Sequence, residues 1–176
     1  MRIISGIYKS RILKTPGKSD MTRPTTDRAR ETLFNLLNNI IDFEEVVCLD
    51  LFCGTGSFGL ECLSRGTPKA YFVDSNTKIV ENNIMLLNAE EKSFSIRYDV
   101  ISFLKNDYKG ECNLVFADPP YDYKKYDLLI DLLSQHKCRF ILEHAERFKY
   151  SGEHSSAVFL KKKIGTSEFT FFNFNQ

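Results

Sequence analysis

The chain has 176 residues, of which 43% are hydrophobic and 27% are charged, and its formal net charge is only +1. This length suffices for one domain with a sizeable core, and the composition is that of a soluble globular protein. No apolar stretch is long enough to span a bilayer, and polar residues follow Met1-Arg2-Ile3-Ile4 too soon for a signal peptide, so we expect a cytoplasmic protein.

The small net charge hides an uneven distribution. Residues 1–30 contain eight basic and two acidic residues, a balance of +6 that leaves −5 for the rest of the chain. A basic N-terminal extension on a mildly acidic body indicates a polyanionic partner, and we expect nucleic acid, with a merely solvated arm as the alternative. The five cysteines have neither CxxC nor cysteine–histidine ligand spacing, which predicts free thiols and no metal site.

The N-terminal segment predicts a short β-hairpin followed by a helix. Residues 2–5 and 8–13 have the pattern of two strands, with Gly6 at or near the turn. After a polar connector, Thr26 or Asp27 can serve as an N-cap, and apolar residues recur at helical spacing as far as Ile40. We therefore predict an amphipathic helix over residues 27–40.

From residue 46 onward, predicted strands and helices alternate. Strands are expected at residues 46–51, 70–73, 94–98, 113–117 and 139–142, and helices at residues 57–65, 77–88, 100–105 and 123–133. Residues 157–162 and 168–174 predict a closing hairpin. Repeated βα units that end in a hairpin predict an α/β fold with a mostly parallel sheet and helices on both faces. We expect one domain over residues 1–176, with an RNA-contacting extension at 1–26 and a catalytic core at 27–176.

The tetrapeptide Asp118-Pro119-Pro120-Tyr121 directly follows a predicted buried strand. Neither proline can donate to a strand ladder, so the strand must end there, at the edge where open α/β sheets bind ligands. Asp118 and the carbonyl of Pro119 can each accept a hydrogen bond from an exocyclic amino group, and Tyr121 can stack on the ring that carries it. A simple turn that caps the strand is the alternative interpretation.

A glycine motif, Gly54-x-Gly56-x-x-Gly59, follows the strand predicted at residues 46–51. Glycines at a strand-to-helix turn let the backbone approach a ligand, and Asp74, 18 residues after Gly56, can bind the two hydroxyls of a ribose. A tight turn with a surface Asp is the alternative. Asp50 would repel the phosphates of a dinucleotide and attract the ammonium and sulfonium groups of S-adenosylmethionine. The loop therefore favours S-adenosylmethionine over NAD.

Asp99 follows the third of the alternating strands, where it can accept from an adenine amino group or cap the next helix. The motifs, taken in chain order, resemble the class I S-adenosylmethionine-dependent methyltransferases that act on amino nitrogens: Asp50-x-Phe52-x-Gly54-x-Gly56, Asp74, Asp99 and Asp118-Pro119-Pro120-Tyr121. Within that superfamily, three further segments resemble the RsmD family: Arg2-Ile3-Ile4-Ser5-Gly6, Arg23-Pro24-Thr25-Thr26-Asp27-Arg28-Ala29-Arg30-Glu31-Thr32-Leu33-Phe34-Asn35 and Leu60-Glu61-Cys62-Leu63-Ser64-Arg65-Gly66. Members of that family are bacterial enzymes that methylate a guanine N2 in small-subunit (16S) ribosomal RNA.

The resemblance implies a Rossmann-like, seven-stranded sheet with one antiparallel strand near its edge, and S-adenosylmethionine as the cofactor. The catalytic residues would be Asp118, Pro119, Pro120 and Tyr121. The cofactor would be bound by Pro24, Thr25, Thr26, Asp50, Phe52, Gly54, Gly56, Asp74 and Asp99. We expect RNA contacts at Arg2, Lys9, Arg11, Lys14 and Arg23. The partner would be 16S rRNA or the small ribosomal subunit, and we expect a monomer.

Two rival functions follow from the same residues. An adenine-N6 methyltransferase acting on DNA or RNA shares the Asp-Pro-Pro-Tyr motif, but the segment between Tyr121 and Cys138 is too short for a DNA target-recognition insertion. A non-catalytic RNA-binding ribosome assembly factor would not need the intact Asp118 and glycines.

Glu143-His144 follows a strand and could line the pocket, with a structural role for His144 as the alternative.

Overall fold

One mixed sheet runs through the described part of the computed structural model, which comprises residues 1–17, 27–145, 148, 150 and 152–175. Its strands are β1 (Val47–Leu51), β2 (Lys69–Asp74), β3 (Ser93–Arg97), β4 (Leu114–Ala117), β5 (Arg139–Ala145), β6 (Val158–Ile164) and β7 (Ser167–Asn173). The helices are α1 (Asp27–Leu37), α2 (Ser57–Ser64), α3 (Lys78–Leu87), α4 (Val100–Asn106) and α5 (Tyr126–Ser134).

The strand order is β3-β2-β1-β4-β5-β7-β6. β1 to β5 are parallel, whereas β7 lies antiparallel between β5 and β6. The α/β fold predicted from the sequence is therefore confirmed, including its single antiparallel strand near one edge. Strands joined through helices must return in the same direction, while the short turn between β6 and β7 permits only a hairpin.

Two apolar layers cover the two faces of the sheet. Alternate residues of β4 divide between them, with Leu114 and Phe116 in the layer under α1, α2 and α3, and Val115 and Ala117 in the layer under α4 and α5. All four residues of β4 are buried, as expected for a parallel strand with helices on both sides. β4 therefore fixes the position of Asp118, the residue that directly follows it.

The predicted N-terminal hairpin forms as a closed loop with one antiparallel bridge, between Arg2 and Ile12, so the prediction of two full strands is wrong. The physical reason is that α2 takes part of the hydrogen bonding that the backbone of this loop would otherwise use between two strands. Ile7 N donates to the carbonyl of Ser64 at 2.8 Å, and Tyr8 N donates to the Ser64 hydroxyl at 2.9 Å.

Glu61 of α2 holds the N-terminal loop in place. Its side chain is fully buried and accepts hydrogen bonds from Ile4 N at 2.7 Å, from Ser5 N at 3.0 Å and from Arg65 Nε at 2.9 Å. Gly6 has φ +81°, and a Cβ there would lie 1.7 Å from the Ser64 carbonyl oxygen. The Arg2–Gly6 and Leu60–Gly66 segments are thus two halves of one contact.

From residue 27 onward, three boundaries of the predicted helices and strands differ by three residues from the structure, and the others differ by two at most. α1 ends at Leu37 and not at residue 40, because the polar residues 38 and 39 lie in a turn, and α5 begins at Tyr126 and not at residue 123. β5 continues to Ala145, three residues beyond the predicted end, because β7 pairs with it over that length. This extension brings Glu143 into the sheet.

All five cysteines are free and buried. Burial raises the pKa of the Cys48 and Cys53 thiols, so both stay neutral and act as small apolar groups. Within the described ranges, no helix is long and apolar enough to cross a membrane.

Replacing Glu61 with Gln tests the attachment of the N-terminal loop. The amide keeps the size of the side chain but places an NH2 group against the donors Ile4 N, Ser5 N and Arg65 Nε. We therefore expect the free energy of unfolding to fall by about 3 kcal/mol. Urea unfolding at neutral pH measures this. The exposed Glu91→Gln is the matched control and should change stability by less than about 0.5 kcal/mol. Equal stability of the two variants would contradict the role of Glu61.

Candidate active site

Four carboxyl groups meet at the edge of the sheet where the parallel strands end, and we call Asp50, Asp74, Asp118 and Glu143 the acidic edge. Asp50 and Asp74 belong to the ends of β1 and β2, Asp118 directly follows β4, and Glu143 lies near the end of β5. The register brings them together because Leu51, Ala117 and Leu142 lie side by side on neighbouring strands. This edge is where open α/β sheets bind ligands.

The loop between β1 and α2 follows a left-handed path over the acidic edge. Phe52, Gly54 and Gly56 have φ values of +56°, +50° and +74°. A Cβ on Gly56 would lie 2.4 Å from Val80 Cγ2, so the close packing of the loop on α3 requires glycine there. Among the described residues, a Cβ on Gly54 would meet only the Phe52 carbonyl oxygen, at 4.0 Å, so those residues leave open space above that backbone.

Asp50 and Asp74 both hold the glycine loop. Asp50 is 2% exposed and accepts from Gly59 N at 2.9 Å, at the start of α2. Asp74 is half-buried and accepts from Gly54 N at 2.9 Å and from Asn76 N at 3.0 Å. Burial raises the pKa of Asp50 to about 8, against the lowering effect of the Gly59 bond and with a further increase from Asp74.

Asn83 is a site residue that the sequence reasoning missed. Its side chain is fully buried, accepts from Lys14 N at 2.7 Å, and donates to the carbonyls of Lys14 at 3.0 Å and Thr55 at 2.9 Å. It therefore joins the N-terminal segment to the glycine loop. The available signal was an amide in the same buried stripe of α3 as Val80 and Ile84.

Asp118 is held where its motif predicts, directly after β4. The residue is exposed, although neighbouring protein atoms crowd its carboxyl group. Desolvation by those atoms, and then the charges of Glu143 and Asp50, raise the pKa of Asp118 well above its usual range. Pro119 is buried, while Pro120 and Tyr121 are exposed, Tyr121 at 72%.

An aromatic group borders the loop and the Asp-Pro-Pro-Tyr turn. Tyr123 packs edge-on against Phe52, with ring centroids 5.1 Å apart, and against Tyr126 at 5.2 Å. The buried hydroxyl of Tyr123 has no hydrogen-bond partner in the described chain. Burial, and then the charge of Asp99, raise the pKa of Tyr123 to about 12, so its hydroxyl stays a donor.

Asp99 caps α4. Its Oδ1 accepts from Ser102 N at 2.9 Å, and this bond is the main cause that lowers the pKa of Asp99. Of the two roles predicted for Asp99, which are a helix cap and an adenine contact, the helix cap is therefore observed. A contact between Asp99 and adenine stays a prediction.

The structure describes four of the five predicted RNA-contacting residues, and all four are exposed in the N-terminal segment: Arg2, Lys9, Arg11 and Lys14. Arg2 lies 3.5 Å from Asp27, and Arg11 donates to the carbonyl of Leu86. Arg23 lies outside the described residues, as do the predicted cofactor residues Pro24, Thr25 and Thr26.

His144 has a structural role. It is buried, its Nδ1 lies 2.9 Å from the Ala145 carbonyl, and its Nε2 lies 2.8 Å from the Thr170 hydroxyl. The neutral ring donates through Nδ1 and accepts through Nε2, and burial lowers the pKa of His144. Among the described residues, no three histidine, cysteine, aspartate or glutamate side chains are placed to hold a metal ion.

Comparison with known proteins decides the family. The sequence profile described as "Conserved hypothetical protein 95" matches residues 1–173. The chain belongs to this family. Its match covers both the N-terminal segment and the acidic edge.

Curated relatives confirm the resemblance found in the sequence. The chain is 34% identical over 170 residues to "Putative rRNA methyltransferase YlbH" of Bacillus subtilis, covering 94% of this chain and 88% of the relative. It is 35% identical over 140 residues to "Ribosomal RNA small subunit methyltransferase D" of Haemophilus influenzae, covering 77% and 71%. The solved "Putative methyltransferase yhhF from Escherichia coli" is 30% identical, with a TM-score of 0.79 and coverage of 98% and 97%.

The raised pKa of Asp50 predicts how stability depends on pH. Between about pH 4 and its native pKa of about 8, Asp50 keeps a proton in the folded state that the unfolded chain releases. The free energy of unfolding therefore falls as pH rises, by up to about 1.4 kcal/mol per pH unit from this group.

The variant Asp50→Asn should flatten that dependence, because its amide can still accept from Gly59 N but does not titrate. Urea unfolding between about pH 5 and pH 8 measures the slope. The exposed Asp122→Asn is the control and should keep the wild-type slope. A wild-type slope in Asp50→Asn would show that Asp50 is ionised in the folded protein.

Proposed function

We propose that this chain transfers a methyl group from S-adenosylmethionine to the exocyclic N2 of a guanine in small-subunit (16S) ribosomal RNA. The observation that carries the proposal is that the glycine loop and Asp118 directly follow β1 and β4, which are neighbouring parallel strands and end at the same edge of the sheet. The family relatives support it, since two of them are named as ribosomal RNA methyltransferases at 34% and 35% identity.

The residues of the site fit S-adenosylmethionine. A cation beside the acidic edge favours ionisation of its carboxyl groups, which can then pair with an ammonium and a sulfonium group, whereas the phosphates of a dinucleotide would be repelled there. The described residues leave open space over Gly54 and give the Tyr123 hydroxyl no hydrogen-bond partner, so that hydroxyl can donate to a ligand. Phe52, Gly54 and Gly56 would surround the methionine part with Asp50 behind them. When bound, the cofactor supplies an electrophilic methyl group.

Asp74 and Asp99 would hold the remaining parts of the cofactor. Each of them already accepts backbone hydrogen bonds, which fix the carboxylates in place. A carboxylate has further acceptor directions, so Asp74 can also bind the ribose hydroxyls and Asp99 the adenine amino group. Pro24, Thr25 and Thr26 would close over the cofactor from the N-terminal side, as the family resemblance implies.

The Asp-Pro-Pro-Tyr turn would hold the base. The guanine flips out of its helix or loop, Asp118 and the Pro119 carbonyl accept hydrogen bonds from its N2 amino group, and Tyr121 stacks on the ring. The nitrogen forms its bond to the methyl carbon as the carbon–sulfur bond breaks, and N2 then releases one proton. Asp118 need not be a strong base, because such positioning alone can be worth about 7–11 kcal/mol.

The N-terminal segment would bind the RNA backbone. Its exposed basic side chains can contact phosphates, which give affinity but little base specificity. We expect the enzyme to act as a cytoplasmic monomer on 16S rRNA or an assembled small subunit. Because the basic segment is small, a preformed ribonucleoprotein surface would help binding.

Transfer of labelled methyl to small ribosomal subunits tests the function. The subunits come from a strain that lacks this gene, and nucleoside analysis follows the reaction. We expect a single N2-methylguanosine, which mapping then assigns to one nucleotide. Label in N6-methyladenine, or only in DNA, would favour an adenine methyltransferase. No transfer despite cofactor binding would favour the assembly factor.

Replacing Asp118 with Ala tests the proposed active-site acid. The variant loses the acceptor that positions the amino group, so methylation should fall by at least about 100-fold while cofactor binding stays nearly intact. The neighbouring exposed Asp122→Ala is the matched control and should retain activity. Normal turnover by the Asp118 variant would contradict this role.

A further inference from the structure

Glu143 is fixed beside Asp118 by two strands. The parallel register pairs Ala117 of β4 with Leu142 of β5. Asp118 and Glu143 are the residues that directly follow this pair. β5 continues past this point, because β7 pairs Glu143 with Phe169 on its other side. Glu143 is 6% exposed, which leaves its carboxyl little freedom.

The two carboxyl groups belong to the same face of the sheet. Phe116 precedes Asp118 by two residues, Ile141 precedes Glu143 by two residues, and both pack in the same apolar cluster. Because strand side chains alternate between faces, Asp118 and Glu143 follow on that same face. The electrostatics also indicate that the two carboxyl groups are close, since the charge of Glu143 raises the pKa of Asp118. Two acids placed together disfavour ionisation of both, and a ligand with several hydrogen-bond donors relieves this cost.

Guanine offers the donors that such a pair would bind. Its Watson–Crick edge carries N1–H beside the N2 amino group. The proposed site uses Asp118 and the Pro119 carbonyl for the two amino protons, which leaves N1–H in need of an acceptor. Adenine and 2-aminopurine instead present a bare N1 lone pair, which a carboxylate oxygen would repel.

We propose that Glu143 accepts the N1–H of the target guanine and so makes the site specific for guanine. This inference rests on the proposed function and deepens it. A carboxylate has about four acceptor directions, so Glu143 can bind a protein group and the base together. A site that hydrogen-bonds one base discriminates strongly against a base that leaves its polar group unmatched.

A comparison of guanine with 2-aminopurine tests the proposal. 2-Aminopurine keeps the amino group that receives the methyl but has no N1–H. Small subunits are reconstituted with either base at the nucleotide that the labelling experiment identifies, and initial rates are measured. The wild-type enzyme should prefer guanine by at least about tenfold.

The variant Glu143→Gln should narrow this preference by about tenfold, because the amide can turn its NH2 toward a bare N1. Glu143→Leu, which can neither accept nor donate, should narrow it as well and covers a failure of the Gln variant to fold. The matched control is Glu168→Gln on β7, which should keep the wild-type preference. Cofactor binding confirms that each variant is folded.

The outcomes separate the two proposals. An unchanged preference in both folded Glu143 variants, with wild-type methylation of guanine intact, would overturn the role of Glu143 alone. A wild-type enzyme that leaves guanine subunits unmethylated would overturn the proposed function, and the role of Glu143 with it.

Discussion

The cost of desolvating carboxyl groups that lie close together at one edge of the sheet is the constraint on which the site depends. Parallel register brings Asp50, Asp118 and Glu143 together. Burial raises the pKa of Asp50 to about 8, and desolvation with the charges of Glu143 and Asp50 raises the pKa of Asp118 well above its usual range. Backbone donors from the glycine loop offset part of this cost at Asp50 and Asp74. A cationic cofactor and a base rich in donors would offset the rest.

The N-terminal segment is built into the site through two buried side chains. Glu61 fastens it to α2, and Asn83 fastens Lys14 to the carbonyl of Thr55 in the glycine loop. Lys14, one of the basic residues proposed to bind RNA, therefore has its backbone joined to the proposed cofactor loop through the Asn83 side chain. This arrangement explains why the segment depends on α2 and α3 for its shape and does not form an independent hairpin.

Local patterns predicted most of the fold, because β4, the glycine loop and the two prolines are each specified by nearby residues. The N-terminal strands were predicted wrongly, since the partner of that backbone is Glu61, more than fifty residues away. The sequence indicated Glu143 as a pocket residue and left Asn83 as an amide in the buried stripe of α3, but the partners of both side chains depend on register and on long-range contacts, which no local pattern encodes. The contacts of Asp118 and Tyr121 with a base remain predictions, since they depend on a bound nucleotide.

The central claim is that the acidic edge receives a cationic cofactor, and titration calorimetry of S-adenosylmethionine tests it most directly. Measurement near neutral pH in two buffers with different ionisation enthalpies gives the number of protons exchanged on binding. A cation lowers the raised pKa of Asp50, so the account predicts proton release and an affinity that increases with pH. Binding with proton uptake, or with no proton exchange, would contradict it.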